Sequence, residues 1–318
     1  MAKQNRKGKG ITLVFIIFLL LVLAASFGLN FLMITKNNEK KKEYKSVKEE
    51  YNTLKKEYDK AAASVSDVDA KIKKYDNIDK LVEDSHKGYY AAIKEVEDAI
   101  LAGKSSAKIA YLTFDDGPYN STWNVFDILD RYNVKATFFT ISLNGENCFD
   151  KKSANCHSLY PEYVKRGHTI ANHTYYHSIW GSTYSSPSSF IEQVKMQEEQ
   201  IKNKAGVTPK ILRFPGGIPT AQRMLGESGF NTVTAELKNM GYGWVDWTAE
   251  DGDGKESLTS GAQAMSILKS MIDEPIEVIL MHDYNWDTIS ILPEAIEYLQ
   301  NKGYTLFPLF YESNMVNK

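Results

Sequence analysis

Lys108-Ile109-Ala110-Tyr111-Leu112-Thr113-Phe114-Asp115-Asp116-Gly117-Pro118 is the stretch that decides the fold. Its apolar part, Lys108–Phe114, reads as a buried strand that stops at two adjacent carboxylates and a Gly-Pro turn. The same grammar recurs downstream. Strands are predicted at Ala136–Ile141, Thr169–Asn172, Ile211–Phe214, Tyr242–Val245, Ile276–Met281 and Tyr304–Phe307. Helical periodicity falls between them at Thr122–Tyr132, Pro187–Lys204, Thr232–Met240, Gly261–Ile272 and Ile289–Asn301. Pro187 opens a helix, and Gly206 and Gly303 follow helix ends, as helix punctuation requires. Strand–helix alternation from Ala107 onward predicts an α/β fold, a distorted (β/α) barrel of parallel strands with its working residues at strand C-termini.

Polar residues do gather at those ends. Asp115 and Asp116 repel unless a cation sits with them, although Asp-Gly is also a common turn pair. Asn172-His173-Thr174-Tyr175-Tyr176-His177 follows the next short strand. Two histidines four apart can face one way on a helical turn and chelate an ion, or can both lie exposed on a loop. With Asp116 they make a three-ligand set that leaves a position open for water. Val278-Ile279-Leu280-Met281-His282-Asp283 puts an imidazole at a strand end, placed either to protonate a leaving amine or to serve as a buried structural histidine. Arg213-Phe214-Pro215-Gly216-Gly217 offers a guanidinium able to hold a carboxylate, or a surface ion pair followed by a turn.

Taken in order, these segments resemble the NodB-homology polysaccharide deacetylases, carbohydrate esterase family 4. Thr113–Pro118 is similar to the family's first motif, Gly167-His168 with Asn172–His177 to the second, Arg213–Gly217 to the third, and Leu280–Asp283 to the fifth. The resemblance covers roughly Ala107 to Phe310. It implies that Asp116, His173 and His177 bind a divalent metal, usually Zn2+, with Co2+, Mn2+ or Ni2+ as substitutes. It implies Asp115 as base toward the attacking water, Arg213 as its orienting cation, His282 as general acid, and Leu280 as a wall for the acetyl methyl. Two departures stand out. The fourth-motif region, Trp247–Gly254, has no Trp after an acid, so Asp253 is expected to tune His282, with Asp251 as competitor. Gly216 replaces a frequent aromatic: its backbone N–H still reaches the substrate, but one wall of the sugar groove is expected to be missing.

The expected substrate is an N-acetylated cell-wall polysaccharide, peptidoglycan or a chitin-like chain. O-acetyl ester hydrolysis on xylan-like glycans is the alternative within the same chemistry. A glycan-binding protein on a retired hydrolase fold is the non-enzymatic alternative.

The 318-residue chain is ordinary in composition, with 43% hydrophobic and 25% charged residues and a net charge of −2. That balance lacks the cationic surface a nucleic-acid binder needs. Lys3, Arg6, Lys7 and Lys9 precede an uncharged apolar run, Ile11–Ile34, long enough to span a bilayer of about 30 Å. The basic flank predicts a cytoplasmic tail over 1–10, an anchor over 11–34 and the remainder outside a bacterial cell membrane. A cleaved signal peptide ending near Val22-Leu23-Ala24 is the competing reading.

Over 39–102 a three-and-four spacing runs through Tyr44, Val47, Tyr51, Leu54, Tyr58, Ala61, Val65, Val68, Ile72 and Tyr75, then skips a residue to Ile78. This predicts a helical coiled-coil stalk able to self-associate, with a helical hairpin near Asp76-Asn77 or a solvated single helix as alternatives. Gly103–Ser106 reads as a linker to a catalytic domain over 105–318. Cys148 and Cys156 either close a small disulfide loop or remain free thiols.

Overall fold

The computed structural model describes residue 48 and residues 78–142, 159–255 and 260–318. The anchor segment, most of the stalk seam, and the Cys148/Cys156 pair lie outside the described residues. Among the described residues no helix is long and apolar enough to cross a membrane. The chain divides into two compact units, Met1–Val96 and Glu97–Lys318. Helix α1 (Ile78–Leu101) begins in the first and ends in the second. Its last turns carry Glu97 and Ile100, both buried. Glu97 accepts hydrogen bonds from the hydroxyls of Tyr111 and Ser313 and from the backbone N–H of Asn314.

The second unit is built on eight parallel strands: β1 (Lys108–Asp115), β2 (Thr137–Thr140), β3 (Thr169–Asn172), β4 (Ile211–Leu212), β5 (Gly243–Trp244), β6 (Ala249–Glu250), β7 (Ile276–His282) and β8 (Tyr304–Phe307). Their order is β5-β4-β3-β2-β1-β7-β6, with β8 also on β1. Helices α2 (Thr122–Tyr132), α3 (Leu159–Lys165), α4 (Pro187–Ala205), α5 (Gly217–Asn239), α6 (Gly261–Met271) and α7 (Trp286–Asn301) connect them.

β1 and β7 are buried along almost their whole length. A strand covered on both faces needs a continuous apolar run rather than an alternating one, and both sequences supply it. One side of β1 pairs throughout with β7. The other side is shared: Lys108–Tyr111 pair with β8 and Thr113–Asp115 with β2. Thr137 Oγ1 accepts from Leu309 N, and Thr169 Oγ1 donates to Leu309 O, so the chain after β8 fills the fork. The sheet thus curls as an open, incomplete barrel, a distorted form of the expected (β/α) closure.

Register sets the site. Asp115 is level with His282 on one side and Phe139 on the other, Thr140 with Asn172, and Asn172 with Leu212. All the strand C-termini that carry chemistry therefore fall on one edge. Helix starts follow their caps: Ser186 accepts from Ser189 N ahead of Pro187, and Asn285 accepts from Asp287 N, which starts α7 at Trp286 rather than at the expected Ile289. Sequence periodicity alone showed only the second half of α5. Gly226, at φ 68° and ψ 167°, separates the two halves with a conformation open to glycine.

Candidate active site

Asp115 ends β1, and the chain then turns through Asp116 at φ 69°. His173 follows β3 directly. His177 sits not on a helical turn, as its spacing had suggested, but in a loop where Thr174 and His177 both take positive φ, 66° and 50°. Left-handed backbone in non-glycine residues costs about 1–3 kcal/mol each and persists where the surroundings enforce it, often at functional sites. Here Asn172 does part of the enforcing. Its Oδ1 accepts from Thr174 N, while its Nδ2 donates to Val194 O and Tyr242 Oη.

The result is a cluster in which one ligand atom each from Asp116, His173 and His177 lies within 4.8 Å of the others. The two imidazole Nε2 atoms approach Asp116 Oδ1 at 3.6 and 3.4 Å. Tetrahedral zinc with bonds of 2.0–2.1 Å holds its ligand atoms about 3.4 Å apart, so the three groups fit such an ion. Two further observations agree. Asp116 Oδ1 is buried without a hydrogen-bond donor. His173 Nδ1 lies 2.7 Å from Arg213 O, so that nitrogen carries the hydrogen and Nε2 presents its lone pair to the cluster. Burial, reinforced by His177, depresses the His173 ring to about 3, so it is neutral, as a ligand must be.

Asp115 stands beside this cluster and is bound differently. Arg213 Nη1 donates to its Oδ1 at 2.8 Å and to Thr113 Oγ1 at 2.8 Å. Arg213 is completely buried, contrary to the surface ion-pair reading. Its other donors reach Val245 O and Asp246 O, and its plane lies 4.2 Å from the Phe139 ring centroid. Burial pushes the Asp115 carboxyl above its ordinary value, with Arg213 and His282 pulling the other way. An ionised carboxylate of raised basicity is suited to take a proton.

His282 ends β7 across from Asp115. Its Nδ1 donates to Asp253 Oδ1 at 2.7 Å and its backbone N–H to Asp253 Oδ2 at 2.7 Å. Asp253, not Asp251, is thus the direct partner. Burial works against the charged ring, but the hydrogen bond and charge of Asp253, with Asp116 and Asp115, outweigh it and raise His282 to about 10. Its free Nε2 is 3.8 Å from Asp116 Oδ2. Two carboxyl- and imidazole-bearing groups with opposite protonation therefore face one cluster, the arrangement of an acid–base pair.

Leu280 lies two residues before His282 on the same face of β7, buried and level with Thr113. Gly216 is closely packed: a Cβ there would meet Ile179 Cδ1 at 3.1 Å and Thr220 Cγ2 at 3.2 Å. Next to Ile179, Trp180 is 80% exposed with the Arg223 guanidinium over its ring, and Trp286, just past His282, is 63% exposed.

Sequence reading missed Thr113, Asp246 and Thr288. Each acts through register: Thr113 shares the face of Asp115, Asp246 accepts from Ile218 N while its carbonyl holds Arg213, and Thr288 touches Asp253.

The polysaccharide deacetylase profile matches residues 102–235. A peptidoglycan-N-acetylglucosamine deacetylase of Bacillus cereus is 30% identical over 216 residues, which cover 65% of this chain and 71% of that protein. A bifunctional xylanase/deacetylase of Pseudobutyrivibrio xylanivorans is 37% identical over 201 residues, 62% of this chain but 29% of that longer protein. The crystal structure of the catalytic domain of peptidoglycan N-acetylglucosamine deacetylase from Eubacterium rectale aligns with a TM-score of 0.59 at 30% identity, covering 66% of this chain and 92% of that one. Sequence and fold agree, and the chain belongs to the NodB-type polysaccharide deacetylase family, carbohydrate esterase family 4.

Proposed function

We propose that the protein is a divalent-metal-dependent hydrolase that removes N-acetyl groups from amino sugars of a cell-wall polysaccharide, peptidoglycan foremost. One observation carries the reading: Asp115 and His282, each fixed by its own buried partner, flank the Asp116/His173/His177 cluster.

Asp116, His173 and His177 are the residues that would hold the cation. Bound there, Zn2+ or a similar ion supplies Lewis acidity toward the acyl oxygen and acidifies water. The chain's own residues do the rest. Asp115, kept ionised by Arg213, takes the proton of the water that attacks the acetyl carbon. The Gly216 backbone is placed to approach the developing oxyanion, and Leu280 walls the methyl side. His282 protonates the nitrogen as the C–N bond breaks. A new C–O bond has formed, and acetate and a free amino sugar leave.

The conjunction of all these groups argues against a retired fold, which characteristically lacks its base or a metal ligand. Exposed Trp180, on the loop after β3, and Trp286, at the start of α7, support a glycan substrate, since aromatic faces stack on apolar sugar faces. The uncharged run 11–34 and its basic flank support attachment to a membrane with the hydrolase on the wall side, and the heptad spacing supports a stalk between them.

The test is acetate release from purified peptidoglycan, chitin oligomers and acetylated xylan, each with and without chelator. Chelator-sensitive release accompanied by new free amines is expected from the first two. Release from xylan alone would reassign the protein to ester hydrolysis, and release insensitive to chelator would remove the metal from the reading.

A further inference from the structure

Behind His282 lie two carboxylates and one hydroxyl whose hydrogens do not add up unless one carboxyl is protonated. Asp251 and Thr288 are fully buried and Asp253 nearly so. The Thr288 hydroxyl is 2.7 Å from Asp251 Oδ2 and 2.7 Å from Asp253 Oδ2. A hydroxyl has a single hydrogen to donate. It serves one of these oxygens, and the other contact is either a repulsion between lone pairs in a dry site or a bond made by a hydrogen on that carboxyl. Burial makes the first arrangement costly.

The partners decide where the hydrogen sits. Asp253 accepts both the Nδ1–H and the backbone N–H of His282, and each bond favours its ionised form. Asp251 accepts one backbone N–H, from Asp253 at 3.1 Å, and among the described residues no cation pairs with it. The charged group acting on Asp251 is Asp253, and on Asp253 it is His282. From α6, the atom nearest the intervening Gly252 is an apolar one, Cδ1 of Ile267. Burial and the Asp253 charge accordingly raise Asp251 to about 7, whereas burial of Asp253 is outweighed by His282, which holds it below its ordinary value.

We propose that Asp251 is a positioning residue that works as a neutral acid: its carboxyl hydrogen goes to Thr288, the Thr288 hydrogen goes to Asp253, and Asp253 keeps its charge for His282. The chain Asp251–Thr288–Asp253–His282 then has a single direction of donation, with the hydroxyl rotor locked. Ionised Asp251 would compete for the Thr288 hydrogen and draw it away from Asp253. The proposal rests on the reading of His282 as general acid for its catalytic consequence, but not for its proton placement.

An amide reproduces a neutral acid here. In Asp251→Asn, Oδ1 still accepts from Asp253 N and Nδ2 donates to Thr288, so kcat at pH 8 is expected within about threefold of wild type, while Asp253→Asn loses about 30-fold at that pH. Thr288→Val breaks the chain and is expected to lower kcat about tenfold with KM unchanged, roughly the worth of one buried hydrogen bond, and Thr288→Ser is expected to restore it.

A second readout needs no substrate: NMR titration of carboxyl-labelled aspartates. Asp251 and Asp283 are each expected to titrate near 7. Asp251→Asn should remove one and Asp283→Asn the other. Loss of activity in Asp251→Asn equal to that in Asp253→Asn would overturn the proposal. So would a pair of titrations near 7 that survives Asp251→Asn. A wild type inactive on every acetylated glycan would overturn the functional reading and leave the NMR result to judge the proton placement.

Discussion

Asp253→Asn isolates the link between charge and proton donation at His282. In the wild type the ring is held at about 10, although burial alone would push it below the ordinary 6.5. The amide keeps the shape of the contact but removes the charge, and its Oδ1 can still accept the Nδ1 hydrogen. With the Asp253 charge gone and burial unopposed by it, the ring falls from about 10 toward its ordinary 6.5. At 6.5, protonation is about 3% at pH 8 and about 76% at pH 6, so kcat falls about 30-fold at the first pH and about 1.3-fold at the second. The sign follows from the acid role: the protonated ring is the active form, and activity is lost as pH rises through its midpoint. The assay is acetate release against pH, with the alkaline limb moving down by several pH values in the variant.

Stability gives a second reading of the same charge. A folded value raised above the unfolded one contributes stability that is complete below about pH 6.5 and is lost as pH rises through about 10. Melting temperatures of chelator-treated wild type should therefore decline across that window, and those of the variant should decline less. An alkaline limb unmoved by Asp253→Asn would refute the reasoning, because His282 would then owe its protonation to other groups.

Asp115→Asn is expected to retain bound metal, measured by elemental analysis, while lowering kcat by about 100-fold or more, the usual worth of a general base. His173→Ala removes a ligand held by the Arg213 carbonyl, so both metal content and activity should be lost. Trp180→Ala should raise KM about tenfold on long chitin oligomers, near 1.4 kcal/mol, with little change on the shortest substrate. An equal effect on all chain lengths would show that the indole acts on folding rather than on sugars. Glu97→Ala removes a buried carboxylate that accepts from two hydroxyls and a backbone N–H, and should cost about 3 kcal/mol in denaturant unfolding. A loss below about 0.5 kcal/mol would mean that water replaces the carboxylate there.

The legible parts of this chain are those where one local cause suffices. β1, β3 and β8 stand where their apolar runs lie, and α2 where its 3.6-residue period lies, because burial on both strand faces or one helix face leaves a direct trace. The illegible parts needed a partner. β6, Ala249–Glu250, is a strand only because β7 offers an edge, and its two residues have no period of their own. The first half of α5 begins Gly217-Ile218-Pro219, which reads as a turn until Asp246 caps Ile218 N. α3 is one short helix with Pro161 inside its first turn, too brief for periodicity. The same divide runs through the site. Asp115, Asp116, His173, His177, Arg213 and His282 are visible as a linear pattern, whereas Asp253, expected ahead of Asp251 from sequence, is separated from it by its two 2.7 Å contacts with His282.

Charge accounts for why those visible residues belong together. Arg213 answers Asp115, and protonated His282 answers Asp253. Asp251 and Asp283 are raised to about 7 by burial among other acids, so each is substantially neutral below that pH. That leaves Asp116, whose Oδ1 has no donor and whose neighbour His173 presents a neutral nitrogen rather than charge. A buried carboxylate oxygen facing the lone pair of His173 is unfavourable unless a cation or a hydrogen lies between them. The fold even bends its backbone, at Asp116 and at His177, to bring these three groups together. Strained backbone of that kind clusters at functional sites, and the Asp116/His173/His177 set has the ligand types a divalent ion prefers, the cation the proposed function would place there.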